Sequence, residues 1–214
     1  MNKCLPISAL IIVSFYAAAQ QQTISPDLSR VEVFQAVNRL VSVNRIDNKA
    51  VVHLNAREGD GVAWIKGLQF GKGIIEFDIK GKNLLQQSFV GIAIHGVNDT
   101  TYDVVYFRPF NFNSPDTIRK THSVQYISLP KYDWSFLRQN FPRKYEHGLT
   151  SAIDGDSWFH ARLVVDADKI EVFVNKDDKP CLAVKPLCNQ TNGNIGFWVG
   201  NNSEGNFANL VLKK

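Results

Sequence analysis

An all-β sandwich is the architecture this sequence predicts, and three observations predict it. Apolar residues recur at every second position in about ten short segments, helical periodicity is nearly absent, and Asn, Asp and Gly punctuate the segments at regular intervals. Strands that each carry one apolar face bury it by packing two sheets against each other. The composition agrees. Fourteen Phe, 4 Trp and 6 Tyr need an interior, which excludes disorder, and a single Met with 14 Gly leans away from helical bundles. The 24 Lys+Arg against 20 Asp+Glu leave a net charge of +4. With no basic cluster anywhere, that is too little to argue for nucleic acid.

In chain order, residues 1–22 read as an export signal. Lys3 supplies the positive charge, Ala9 to Tyr16 the apolar run, and Ala17-Ala18-Ala19 the small-residue cleavage site. The run falls well short of the roughly 20 residues a bilayer needs, so no membrane span is expected. Cys4 precedes the run, where a lipid anchor wants a Cys just after it. Cleavage after Ala19 takes 19 of 214 residues and leaves 195; losing Lys3 lowers the charge from +4 to +3. A secreted or periplasmic location follows. Residues 20–26 are then a short lead and 27–214 one domain, because no repeat or linker divides them.

The strands follow. Val31 to Phe34 and Ala50 to Leu54 open the domain. Gly73 to Ile79 sets Ile75, Phe77 and Ile79 on one face and Glu76 and Asp78 on the other. Ser88 to His95 points Val90, Ile92 and Ile94 inward, with Phe89, Gly91, Ala93 and His95 opposite. Tyr102 to Arg108, Ser123 to Ile127, Phe159 to Asp166, Ile170 to Asn175, Ile195 to Val199 and Phe207 to Leu212 complete the set. Asp166 to Lys169 and Asn175 to Asp178 have the chemistry of hairpin tips. Between Phe110 and Thr150 the alternation breaks. That region is rich in aromatic and charged residues, and Asp133 reads as the N-cap of a helical turn through Arg138. A long insertion of this kind is where functional chemistry is to be sought.

With Cys4 removed, Cys181 and Cys188 form an even pair in an oxidising compartment. A disulfide between them is expected, two buried free thiols being the alternative. The pair has no metal-ligand spacing and no His beside it in sequence, so neither a metal nor another cofactor is expected.

Five stretches carry a resemblance: Asp60 to Trp64, Gly73 to Ile79, Phe89 to Ala93, Val105 to Asn111 and Gly196 to Gly200. They resemble secreted bacterial proteins of the concanavalin A-like lectin/glucanase superfamily, from about residue 27 to the C-terminus. The organisation is similar to laminin-G-like domains and to the 3-keto-disaccharide hydrolase family, formerly a domain of unknown function. The resemblance implies a jelly roll of two curved antiparallel sheets with a ligand site on the concave face. It also implies either of two functions, because this fold hosts both binders and enzymes.

Two readings result. The first is a carbohydrate-binding domain using Arg108, Asn111, Gln125, Tyr126, Trp134, Arg138 and Trp198, since sugar rings stack on aromatics and hydroxyls pair with planar donors and acceptors. The second is a glycan-cleaving hydrolase with His95, His122 or Glu146 as acid or base, Glu146 requiring a pKa raised by burial. Binding is favoured because no complete catalytic set can be written. Glu76-Phe77-Asp78 resembles the start of the Glu-x-Asp-x-x-Glu strand of laminarinase-type hydrolases, but Gly81 stands where the third carboxylate belongs.

Overall fold

Residues 22–47 and 49–214 are described by the computed structural model. The segment read as an export signal, with Lys3, Cys4 and Ala17 to Ala19, lies outside the described residues. In chain order the strands are β1 (Thr23–Ile24), β2 (Phe34–Val37), β3 (Val41–Ile46), β4 (Lys49–Leu54), β5 (Gly61–Phe70), β6 (Gly73–Lys80), β7 (Val90–Asn98) and β8 (Thr101–Phe107). Helix α1 (Thr117–Lys120), β9 (Val124–Leu129), α2 (Trp134–Asn140) and β10 (Glu146–His147) follow. The chain ends with β11 (Phe159–Val165), β12 (Ile170–Val174), β13 (Leu182–Val184), β14 (Gly193–Val199) and β15 (Gly205–Lys213).

All the pairs are antiparallel. One sheet runs β13-β12-β11-β6-β15-β4-β3, with β1 on β15; the other runs β10-β9-β8-β7-β14-β5-β2. This is the two-sheet sandwich that the alternation predicts. No helix among the described residues is long and apolar enough to cross a membrane.

The first sheet follows the period-two pattern closely. Along β11, Phe159, Ala161, Leu163 and Val165 are buried while the residues between them are half-exposed, and β6 repeats the pattern with Ile75, Phe77 and Ile79. Its outer face therefore holds Glu76, bound to Lys213 Nζ at 2.8 Å, and Asp78, 2.8 Å from His160 Nδ1. The Glu76 carboxylate is thus an ordinary ion-pair member and Asp78 a hydrogen-bond acceptor on a half-exposed face. Between the sheets Phe197 stacks on Phe207 with ring centres 4.6 Å apart, and Phe107 meets Phe159 edge-on at 5.1 Å. Each such ring, removed fully from water, contributes about 2–3 kcal/mol.

The second sheet is buried on both faces in its centre: Val90 to Gly96, Tyr102 to Phe107 and Val124 to Ser128 have no exposed residue. Over its far face lie the segments on either side of β9, which bring Arg119 and His122, and Trp134 and Arg138 of α2, beside Tyr106 and Trp198. Within that insertion, Asp133 Oδ1 accepts from Phe136 N at 2.7 Å and caps α2, as expected. Two local differences from the expected strands stand out. Val31–Val33 is a 3-10 turn, and pairing with β5 starts at Phe34, opposite Ile65. The strand expected to stop at His95 continues to Asn98 through a bulge, where His95 takes a φ of 56°.

Gly91 sits where β8 passes closest. A Cβ there would stand 2.1 Å from Val105 O and 2.6 Å from Tyr106 Cα, both backbone atoms. Gly91→Ala is expected to cost about 3 kcal/mol, read from the urea midpoint. Gly67→Ala, with open space but a φ of 73°, is expected to cost about 1 kcal/mol.

Candidate functional site

One cross-strand row organises the covered face of the second sheet. Register places Glu146 opposite Gln125, Gln125 opposite Tyr106, Tyr106 opposite Gly91, and Gly91 opposite Trp198. Partners in a row share a face, so a carboxylate, an amide, a phenol, a gap and an indole lie in line across β10, β9, β8, β7 and β14. The gap at Gly91 lets the Tyr106 and Trp198 rings approach to 5.0 Å. Phe89 stands 6.2 Å from Tyr106 and 5.4 Å from Phe110. These rings floor an open cavity of about 510 Å³. Its walls are Leu85 and Gln86, Arg119 and His122, Trp134 and Arg138 of α2, and Asn201.

Arg108 follows β8 on the face of Tyr106, where Pro109 ends the ladder. Only 4% of it is exposed. Its guanidinium donates to His122 O at 3.0 Å, to Tyr106 Oη at 2.7 Å and to Gln125 Oε1, and it lies 4.8 Å over the Tyr106 ring. Tyr106 in turn donates to Gln125 Oε1 at 2.9 Å. Acceptors and a ring face replace the water that the buried cation has lost. Burial pushes the Tyr106 hydroxyl up to about 12, so it remains a donor at neutral pH.

Glu146 is the counter-charge. It is 3% exposed, accepts a two-pronged contact from Arg138 (Nε to Oε1 2.9 Å, Nη2 to Oε2 2.6 Å) and lies 3.8 Å from Arg108 Nη1. His122 Nδ1 approaches Oε2 to 2.8 Å without the alignment of a directed hydrogen bond. Burial by itself raises the Glu146 carboxyl; the Arg138 bonds and charge, with His122 and Arg108, outweigh it and hold the group below its ordinary value. Burial leads in lowering His122, against the Glu146 carboxylate, which raises it. The Arg138 guanidinium also sits 5.3 Å over Trp134, whose ring is half-exposed at the rim.

The fold brings Arg108, Asn111, His122, Trp134, Arg138 and Trp198 to one cavity, with Gln125 and Glu146 directly behind Arg108 and Arg138. Three expectations need correction. Tyr126 alternates to the interior side of β9, where its hydroxyl accepts from Leu187 N at 3.0 Å, away from the cavity. His95 leaves the face of Gly91 and Ala93, because the bulge turns its Nδ1 to within 2.9 Å of Asp103 Oδ2. Cys181 and Cys188 are free thiols: Cys181 Sγ donates to Val172 O at 3.3 Å, while Cys188 Sγ lies 2.8 Å from Asp103 Oδ2. Residues 182–184 pair with β12 between them and hold the two sulfurs on separate acceptors. Two floor residues, Phe89 and Tyr106, were missed as ligand contacts. The signal for them was Gly91, which is informative only once its cross-strand partners are known.

No family model matches this chain, and no curated protein does. Solved structures do. A carbohydrate-binding module, CBM66 from Bacillus subtilis, is 13% identical with a TM-score of 0.60, covering 84% of this chain and 95% of that one. A native glycosidic hydrolase is 14% identical with a TM-score of 0.56, covering 92% and 98%. The exoplasmic/lumenal domain of VIP36, bound to Ca²⁺ and Man3GlcNAc, is 11% identical with a TM-score of 0.53, covering 89% and 86%. At such identities the likeness is one of fold, and the chain has the concanavalin A-like fold that its sequence resembles.

Proposed function

We propose that this chain is a carbohydrate-binding, lectin-like domain that takes a glycan into the cavity over Tyr106 and Trp198. One observation carries the reading: a single floor joins aromatic rings to a buried guanidinium and to Asn111, whose Nδ2 donates to His122 O at 3.1 Å while its buried Oδ1 has no partner. Sugars match that mixture. Their C–H faces stack on rings, and a hydroxyl donated to Asn111 Oδ1 satisfies an acceptor otherwise buried at a cost of about 1–3 kcal/mol. Trp134 and Phe110 offer further stacking surface at the mouth, and the volume falls in the usual range for small-ligand sites. The structural neighbours include one protein called a carbohydrate-binding module and one bound to a mannose oligosaccharide, which supports the same reading. Export through the segment ending near Ala19 belongs with it.

The cleavage reading asks for a carboxyl that holds a proton near neutrality. Glu146 is shifted the other way and both its oxygens are engaged by Arg138. Its work is to neutralise the two arginines that shape the cavity. The deciding experiment is a glycan array run beside product analysis on the same glycans and on plain and oxidised disaccharides. Binding without cleavage is the expected result. Cleavage abolished by Glu146→Gln or His122→Ala overturns the binding-only reading.

Two outcomes follow from the site. Trp134→Ala is expected to weaken the best array ligand about tenfold by calorimetry, with an unchanged thermal midpoint, because an exposed ring contributes about 1–2 kcal/mol to a stacked ligand and little to folding. Glu146→Gln is expected to lower stability at pH 7 by about 2 kcal/mol, since it leaves buried Arg108 without its counter-charge. A carboxyl lowered below its ordinary 4.5 contributes stability that is fully present above that value and is lost as the pH falls through the folded one. The thermal midpoint of the unmodified chain is therefore expected to fall more steeply below pH 4.5 than that of Glu146→Gln.

A further inference from the structure

We infer that His95, Asp103 and Cys188 form a binding site for a divalent transition cation of the zinc class, separate from the glycan cavity. The three donors come from β7, from β8 and from the loop after β13, and their ligand atoms lie within 4.8 Å of one another. Asp103 stands five residues back from Arg108 along β8 and on the opposite face, with Val105 and Phe107.

The hydrogen-bond arithmetic there asks for positive charge. Gly71 O lies 2.9 Å from His95 Nε2 and can only accept, so Nε2 carries a hydrogen. In a neutral imidazole Nδ1 is then a bare lone pair, yet it faces Asp103 Oδ2 at 2.9 Å, a second acceptor. Cys188 Sγ turns to the same oxygen at 2.8 Å and stands 3.9 Å from Nδ1. Asp103 is fully buried, its Oδ1 has no partner, and among the described residues neither Lys nor Arg forms an ion pair with it. A nitrogen, an oxygen and a sulfur thus converge on one point where protons must sit between them, or one cation in their place.

The surroundings fit a cation. A backbone carbonyl holding the far N–H of a metal-binding imidazole is the usual outer support of such a ligand. Re-aiming His95 costs a bulge and a left-handed backbone, and Gly193 is the residue that lets β14 pass it, since a Cβ there would stand 2.6 Å from His95 C. A mixed N, O, S set suits Zn²⁺, and a tetrahedral site spaces its donors about 3.3–3.6 Å apart. The three separations here, 2.9, 2.8 and 3.9 Å, bracket that spacing. The group also opens to a cavity of about 80 Å³ lined by Gly71, Pro186, Gln190 and Thr191, which leaves room for an approaching ion and a water as fourth ligand.

The test uses the whole chain stripped with a chelator and titrated with Zn²⁺ against a chromophoric competitor, then with Co²⁺ as a spectroscopic probe. One equivalent of Zn²⁺ is expected, weakened at least tenfold by Cys188→Ser and by Asp103→Asn and unchanged in Cys181→Ser. Co²⁺ is expected to give a thiolate charge-transfer band that Cys188→Ser abolishes. Near-UV circular dichroism of each metal-free variant checks its fold. On the unmodified chain, Zn²⁺ is expected to slow alkylation of Cys188 at least tenfold, a readout that needs no variant. Absence of stoichiometric binding, unslowed alkylation, or a Co²⁺ band that survives Cys188→Ser overturns the inference.

Discussion

The contact of Phe197 with Phe207 across the sandwich holds two curved sheets at one spacing, and the placement of the other side chains follows from it. Once Phe197, Phe107 and Ile92 are committed to the space between the sheets, their neighbours Trp198, Tyr106 and Gly91 must face the other way. A sheet with only one covered face leaves those groups in water. Here the segments on either side of β9 return over them, so the second face becomes an interior with its own shape.

That second interior is not filled by apolar packing. It is built around Arg108 and Glu146, two buried charges whose desolvation is offset only by complete partnering. Four elements meet to supply the partners: β8 brings Tyr106, β9 brings Gln125, α2 brings Arg138, and the turn before β9 brings the His122 carbonyl. The network fixes where the insertion sits, and a cavity remains over the Tyr106 and Trp198 rings. His95 and Asp103 repeat the theme on the other face of the same strands. A bulge exchanges regular pairing for one redirected imidazole.

How much of this was legible follows from the distances in sequence over which each feature is encoded. The strand β11, with Phe159, Ala161, Leu163 and Val165 inward, is written in seven consecutive residues. The Asp133 cap on α2 is written in four. The faces of Tyr106 and Arg108 follow from a period of two, and Arg108, Asn111, Trp134, Arg138 and Trp198 were grouped by side chains that suit a sugar. Tyr126 was misplaced although the same period puts it opposite Gln125, because both were grouped by chemistry and not by face. His95 was misplaced for a different reason. A bulge inserts one residue and reverses the alternation after it, and nothing in Ile94-His95-Gly96 signals that.

The sequence by itself determined the two-sheet class, the inward faces of the strands and the existence of an aromatic insertion, because these are set by patterns a few residues long. Only the tertiary structure decided which groups share a site. Glu146 meets Arg108, 38 positions away, through the pairing of β10 with β9 and of β9 with β8. Cys188 meets Asp103 and not Cys181, because β13 is bound to β12 while the loop after it falls against β8. Register between strands distant in the chain is a cooperative property of the whole sandwich, and each one-residue choice in it exchanges one face for the other.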